Sequence, residues 1–101
     1  MAYVPDLMDR SRVLDAHPGV EAAGDVAGLV AMAEGADVVV VDLARPGVLE
    51  ALPAVVAAAG RVVGFASHVD VGLLEAASAT GCDALPRSRF FRDLDEVLRP
   101  G

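Results

Sequence analysis

The stretch Asp37-Val38-Val39-Val40-Val41-Asp42 decides the fold. Four consecutive β-branched residues with no polar alternation describe a strand that is apolar on both faces. Such strands belong to parallel sheets covered by helices on either side. Upstream, Asp25 stands where a helix cap is needed, before the stripe Val26, Leu29, Val30 and Ala33, and Gly35 follows its end. Downstream, Pro46 suits the first turn of a helix with the stripe Val48, Leu52, Val55 and Ala59, flanked by Leu49 and Val56 and stopped by Gly60. Pro53 falls inside that stripe and predicts either a kink or a helix start shifted to about Leu52.

The same alternation continues to both ends. Ala2 to Val4 is a short first strand, and a helix follows Asp6 to about Ala16, broken by His17-Pro18-Gly19. Val20 to Ala23 reads as a second strand. After the valine strand come Val62 to Ala66, a helix capped by Asp70 and carrying Leu73, Leu74 and Ala77, and a fifth strand at Cys82 to Leu85. Phe90, Phe91, Leu94, Val97 and Leu98 mark one final helix. With no repeat, linker or low-complexity segment, residues 1–101 read as one domain. The expected fold class is α/β: a single-domain, three-layer, flavodoxin-like fold with a five-stranded parallel sheet in the order 2-1-3-4-5. In such a sheet the ligand crevice opens where strands 1 and 3 part, at their carboxyl ends, and those ends carry Asp6 and Asp42.

Composition narrows the function classes. The chain is 54% hydrophobic but only 4% aromatic, which predicts close packing of small side chains. Cys82 is the single cysteine, so no intrachain disulfide is available and a small core thiol is expected. The purely aliphatic run Val38 to Val41 is far below the ~20 apolar residues of a membrane helix, so no membrane contact is expected. Met1 to Asp6 lacks the basic-then-apolar order of a signal peptide, and the cytoplasm is the expected compartment. Net charge is −7, with eight scattered arginines and no lysine, which speaks against a nucleic-acid partner that requires a basic face.

Directly after the valine strand, Asp42-Leu43-Ala44-Arg45-Pro46-Gly47 resembles the segment around the phospho-accepting aspartate of the receiver domains of bacterial response regulators. The resemblance extends over the chain in element order, including Asp15-Ala16-His17-Pro18-Gly19-Val20-Glu21 before the second strand. It implies that Asp42 is the phospho-acceptor candidate and that Ser67 and Arg87 are the phosphate-contact candidates. It also implies Mg²⁺ as the cofactor, with Asp6 and Asp42 as its ligands. The chain departs from the pattern in several places. Pro5-Asp6 stands where an acidic pair is expected, with Asp9 one turn away as a stand-in, and Ala66 competes with Ser67 for the hydroxyl position. Pro86-Arg87 stands where a lysine is expected, and Asp83-Ala84 where an aromatic is. Losing one carboxylate weakens an octahedral oxygen site, and a planar guanidinium does not replace an ammonium group conservatively. The reading is a degenerate, pseudo-receiver-like domain.

Bland roles compete at each position. Asp6 and Asp70 suffice as helix caps, Ser67 as a turn hydroxyl, and His68 with Asp70 is too sparse for a metal site. Phe90 and Phe91 are adjacent, so a regular helix can turn only one of them fully inward. The other is expected at an interface, rimmed by Arg87, Arg89 and Arg92. The expected function is a non-enzymatic, stand-alone signalling or regulatory domain that contacts a protein partner or a second copy of itself, without efficient phosphorylation. The alternatives are a small-molecule or metal-binding α/β protein and a scaffold subunit.

Overall fold

A computed structural model describes residues 1–99; Pro100 and Gly101 of the expected domain lie outside the described residues. The elements run β1 (Ala2–Tyr3), α1 (Leu7–Ala16), α2 (Val26–Ala33), β2 (Val38–Asp42), α3 (Val48–Ala58), β3 (Arg61–Ala66), α4 (Val71–Ala79), β4 (Asp83–Pro86), α5 (Arg87–Arg92) and α6 (Leu94–Val97). Among the described residues they form one parallel sheet of four strands in the order β1-β2-β3-β4.

The valine strand is interior, as its composition requires. β2 pairs with β1 on one side and β3 on the other, and Val39, Val40 and Val41 are at most 1% exposed. Val39 and Val41 pack with Leu29 of α2, Leu52 and Val55 of α3 and Ala77 of α4. Val40 faces the opposite way, with Val13 of α1, Phe65 of β3, and Phe90, Phe91 and Val97 of the chain's end. Two apolar cores therefore share β2 and β3, one on each face.

Four strands replace the expected five, and the order 2-1-3-4-5 does not apply. The segment Val20 to Ala23 makes one isolated parallel bridge, Ala2 to Ala22. Ala2 donates its N–H to the Glu21 carbonyl and accepts from Ala23 N–H, both at 2.8 Å, while Val40 N–H reaches the Met1 carbonyl on the other edge. A two-residue β1 offers only Ala2 to an outer neighbour, because successive backbone groups point to opposite edges. Gly19 and Gly24 close the segment on either side, and Glu21 and Ala22 are exposed, so burial adds little to hold more of it.

Helix starts follow local chemistry. Asp25 caps α2 by accepting from Gly28 N–H at 2.7 Å, and Asp6 caps α1 by accepting from Asp9 N–H at 3.0 Å. α3 starts at Val48 and not at Leu52; Gly47 precedes it with φ +82°, and the exposed Pro53 is accommodated inside the helix. Asp70 does not cap α4 with its side chain, a correction of the expected role. Its ψ of 60° leaves the extended backbone a capping side chain needs, and Ser67 turns the chain instead, accepting from Val69 N–H at 3.4 Å.

The single C-terminal helix is also corrected. Asp93 (φ −107°, ψ 29°) divides it into α5 and α6, and Phe90 and Phe91 are both buried, at 0% and 8% exposure. Neither ring offers the exposed surface that the interface expectation required. Phe65 explains why both fit: its ring stacks on Phe90 at 4.7 Å and meets Phe91 edge-on at 5.2 Å, while the two neighbours meet at 88°. The Arg12 guanidinium of α1 covers Phe91 at 4.1 Å from its centroid. Cys82 is a buried core residue as expected, and burial pushes its thiol up to about 11.

Candidate functional site

Because all strands are parallel, their carboxyl ends meet at one end of the molecule. Asp42 closes β2, Ser67 follows the last residue of β3, and Arg87 follows the last residue of β4. The register Asp42 to Phe65 and Ala66 to Pro86 brings these three positions to similar height. They line one cleft of about 380 Å³ together with Ala44, Arg45, Pro46, Phe65 and Ala66. Three of the residues singled out in the sequence are thus brought together. Both Ser67 and Ala66 border the cleft; Ala66 is buried and Ser67 is exposed.

Asp42 is 8% exposed, and its carboxylate is held from both sides. Oδ1 accepts from Ala44 N–H at 3.1 Å in a local turn, and Oδ2 accepts from Arg45 Nε at 3.2 Å. Leu43, next in the chain, anchors this loop: its N–H donates to the Phe65 carbonyl at 3.0 Å and its side chain lies over Gly64. A Cβ on Gly64 would stand 2.7 Å from Leu43 Cγ, so only glycine allows the loop this close to β3.

Asp6 is exposed, caps α1 and does not line the cleft. The acid that turns inward from α1 is Asp9, at 6% exposure. Arg87 grips it bidentately, Nη1 to Oδ2 at 2.8 Å and Nη2 to Oδ1 at 2.6 Å. The Arg87 hydrogen bond holds the Asp9 carboxyl below its usual range against an opposing push from burial, and the charges of Arg87, Arg12 and Arg45 add to it. Arg87 in turn holds its proton more tightly, first through the Asp9 hydrogen bond, against burial, then through the charges of Asp9, Asp42 and Asp6. This pair is the functional feature that sequence reasoning missed. The available signal was Asp9 standing one helical turn (i, i+4) before the apolar Val13, which puts the two on the buried face of α1.

The carboxylates that a Mg²⁺ would use already have partners: Asp42 accepts from Ala44 N–H and Arg45, Asp9 from Arg87 and Asp6 from a backbone N–H. No group of three or more His, Cys, Asp or Glu side chains is arranged to hold a metal among the described residues. Leu7, Met8, Val69 and Val71 are exposed around the same end of the sheet, at the starts of α1 and α4. No helix among the described residues is long and apolar enough to cross a membrane.

Comparison of the chain with protein-family models, with curated proteins and with solved structures finds no match in any of the three.

Proposed function

We propose that this chain is a receiver-like regulatory domain of flavodoxin-like arrangement, non-enzymatic and cytoplasmic, read by a protein partner at the carboxyl end of its sheet. The observation that carries the reading is the meeting of Asp42, Ser67 and Arg87 in one cleft, at the ends of three adjacent parallel strands. The exposed apolar residues Leu7, Met8, Val69 and Val71 at that same end supply contact area of the kind protein partners bury. The net charge of −7 argues against nucleic acid as the partner.

In this reading Asp42 is a poor phosphoryl acceptor. Phosphoryl transfer to a carboxylate relies on cations that neutralise the transferring group. Here Arg45 already binds Asp42 Oδ2, and Arg87 is held by Asp9. Mg²⁺ binding is correspondingly weak. Incubation with acetyl phosphate and Mg²⁺, followed by intact-mass measurement, is expected to show only a minor +80 Da species. Stoichiometric labelling that vanishes in Asp42→Asn would overturn the weak-acceptor reading and make this an efficient receiver.

A further inference from the structure

We infer that a second hollow, separated from the Asp42 cleft by the shared wall of Ser67 and Arg87, binds the phosphate group of a small phosphomonoester. This hollow has a volume of about 300 Å³ and is lined by Arg12, Ser67, His68, Arg87, Ser88 and Phe91. Its charge is the first argument. The protein has 15 acidic and 8 basic residues, yet no carboxylate lines this hollow. Four other hollows on the surface each carry at least one: Glu21, Asp83, Asp15 and Asp42 respectively are among their linings. A basic hollow on a molecule of net charge −7 opposes the general field and is selective for an anion that comes close.

Donor geometry is the second argument. Arg12 and Arg87 flank the same ring, at 4.1 and 5.1 Å from the Phe91 centroid. Two guanidinium groups on one ring repel; Asp9 hydrogen-bonds only Arg87, and acts on Arg12 through its charge alone. Arg12 makes no ion pair among the described residues. Its guanidinium lies over the ring without an ion-pair partner, and a planar fork of this kind matches two oxygens of a phosphate. Ser67, Ser88 and His68 add donors of the type that complete such a shell. The Phe91 ring and the arginine stems give the hollow an apolar floor, which favours an ester with an apolar or aromatic body over free phosphate.

The inference does not depend on chemistry at Asp42. It is tested by amide chemical-shift titration of the whole protein with phenyl phosphate, inorganic phosphate and benzoate at constant ionic strength. Phenyl phosphate is expected to shift Ser67, His68 and Ser88 saturably, with a Kd on the order of 1 mM, and inorganic phosphate more weakly at the same residues. Arg12→Gln should weaken binding at least tenfold, and Arg12→Lys less. If Arg12→Gln melts early, the exposed Ser88→Ala, expected to weaken binding severalfold, takes its place. Binding by Arg12→Gln or Ser88→Ala equal to wild type, shifts centred on Ala44 and Arg45, equal binding of benzoate, or no saturable shift would each overturn the site. Tighter binding of inorganic phosphate than of phenyl phosphate would overturn the ester preference.

Discussion

Asp9 is a carboxylate at 6% exposure whose charge is held in place by a residue 78 positions away in the chain. Removing that partner while leaving the acid buried is unfavourable, because a desolvated acceptor then lacks its donors. Arg87→Met is expected to lower stability by about 1–3 kcal/mol, toward the low end because the arginine side chain is 44% exposed and water screens it. The Asp9 carboxyl is depressed by the pair, so the folded state binds a proton less readily than the unfolded chain does. Its contribution is therefore fully present above the ordinary carboxylate value of about 3.9 and is lost as pH falls through the lower folded value. Urea unfolding at several pH values from 3 to 7 should show a steep acid loss in wild type and a shallower one in Arg87→Met. Parallel profiles would mean that the pair does not couple to folding. In the sequence both residues stood out as candidates, yet their pairing did not. A contact across 78 residues leaves no local periodicity, and a bidentate grip is a matter of side-chain geometry.

Elements whose identity rests on local chemistry were legible; those that depend on a neighbour were not. The valine run, the Asp25 and Asp6 caps, and the stripes of α2 and α3 carry their own signals in spacing and residue type. The segment Val20 to Ala23 has strand-like residues but meets a β1 of two residues, so only one bridge can form. The final helix was read as continuous because its apolar positions fit one stripe, whereas the structure turns at Asp93 to bring α6 against α1 and seats both phenylalanines on Phe65. Gly64 shows the same dependence at a single position. Inside a strand a glycine usually weakens pairing, and here it lets Leu43 lie on β3 and so fixes the loop that carries Asp42. Gly64→Ala is expected to lower stability by about 1–3 kcal/mol through overpacking. In Gly64→Ala/Leu43→Ala the two effects should fall short of additive, since the second change removes the atoms that the first one strikes. Strict additivity in thermal or urea unfolding would show that the close approach carries no strain.

At the scale of the whole molecule, parallel connectivity does most to create the site. It sends every strand end to one face, so Asp42, Ser67 and Arg87 meet although each lies in a separate βα turn. Element order alone put Asp42 at this face, together with Asp6, which does not line the cleft; Ser67 and Arg87 were pointed to by the resemblance. The division of the arginines between Asp42, Asp9 and the Phe91 ring was not legible, because it is set by packing. The same connectivity distributes stability unevenly. β2 and β3 share a five-residue register in the sheet interior and contribute side chains to both cores. β1 contributes two residues, and segment 20–23 joins it through one bridge. A domain of this size has a stability of only about 5–15 kcal/mol in total, so regions with few buried hydrogen bonds open well before global unfolding. Amide hydrogen exchange is therefore expected to be slowest at Val39 to Val41 and Val62 to Phe65. Exchange at Ala2 and Ala23 should be faster by at least a factor of a hundred, since about 2.7 kcal/mol less is needed to expose them. Uniform protection across these segments would show that segment 20–23 and β1 unfold only with the whole sheet. The bridge at Ala22 would then be an integral part of the sheet, and the outer edge beside Asp6 would be as rigid as the interior strands that hold Asp42.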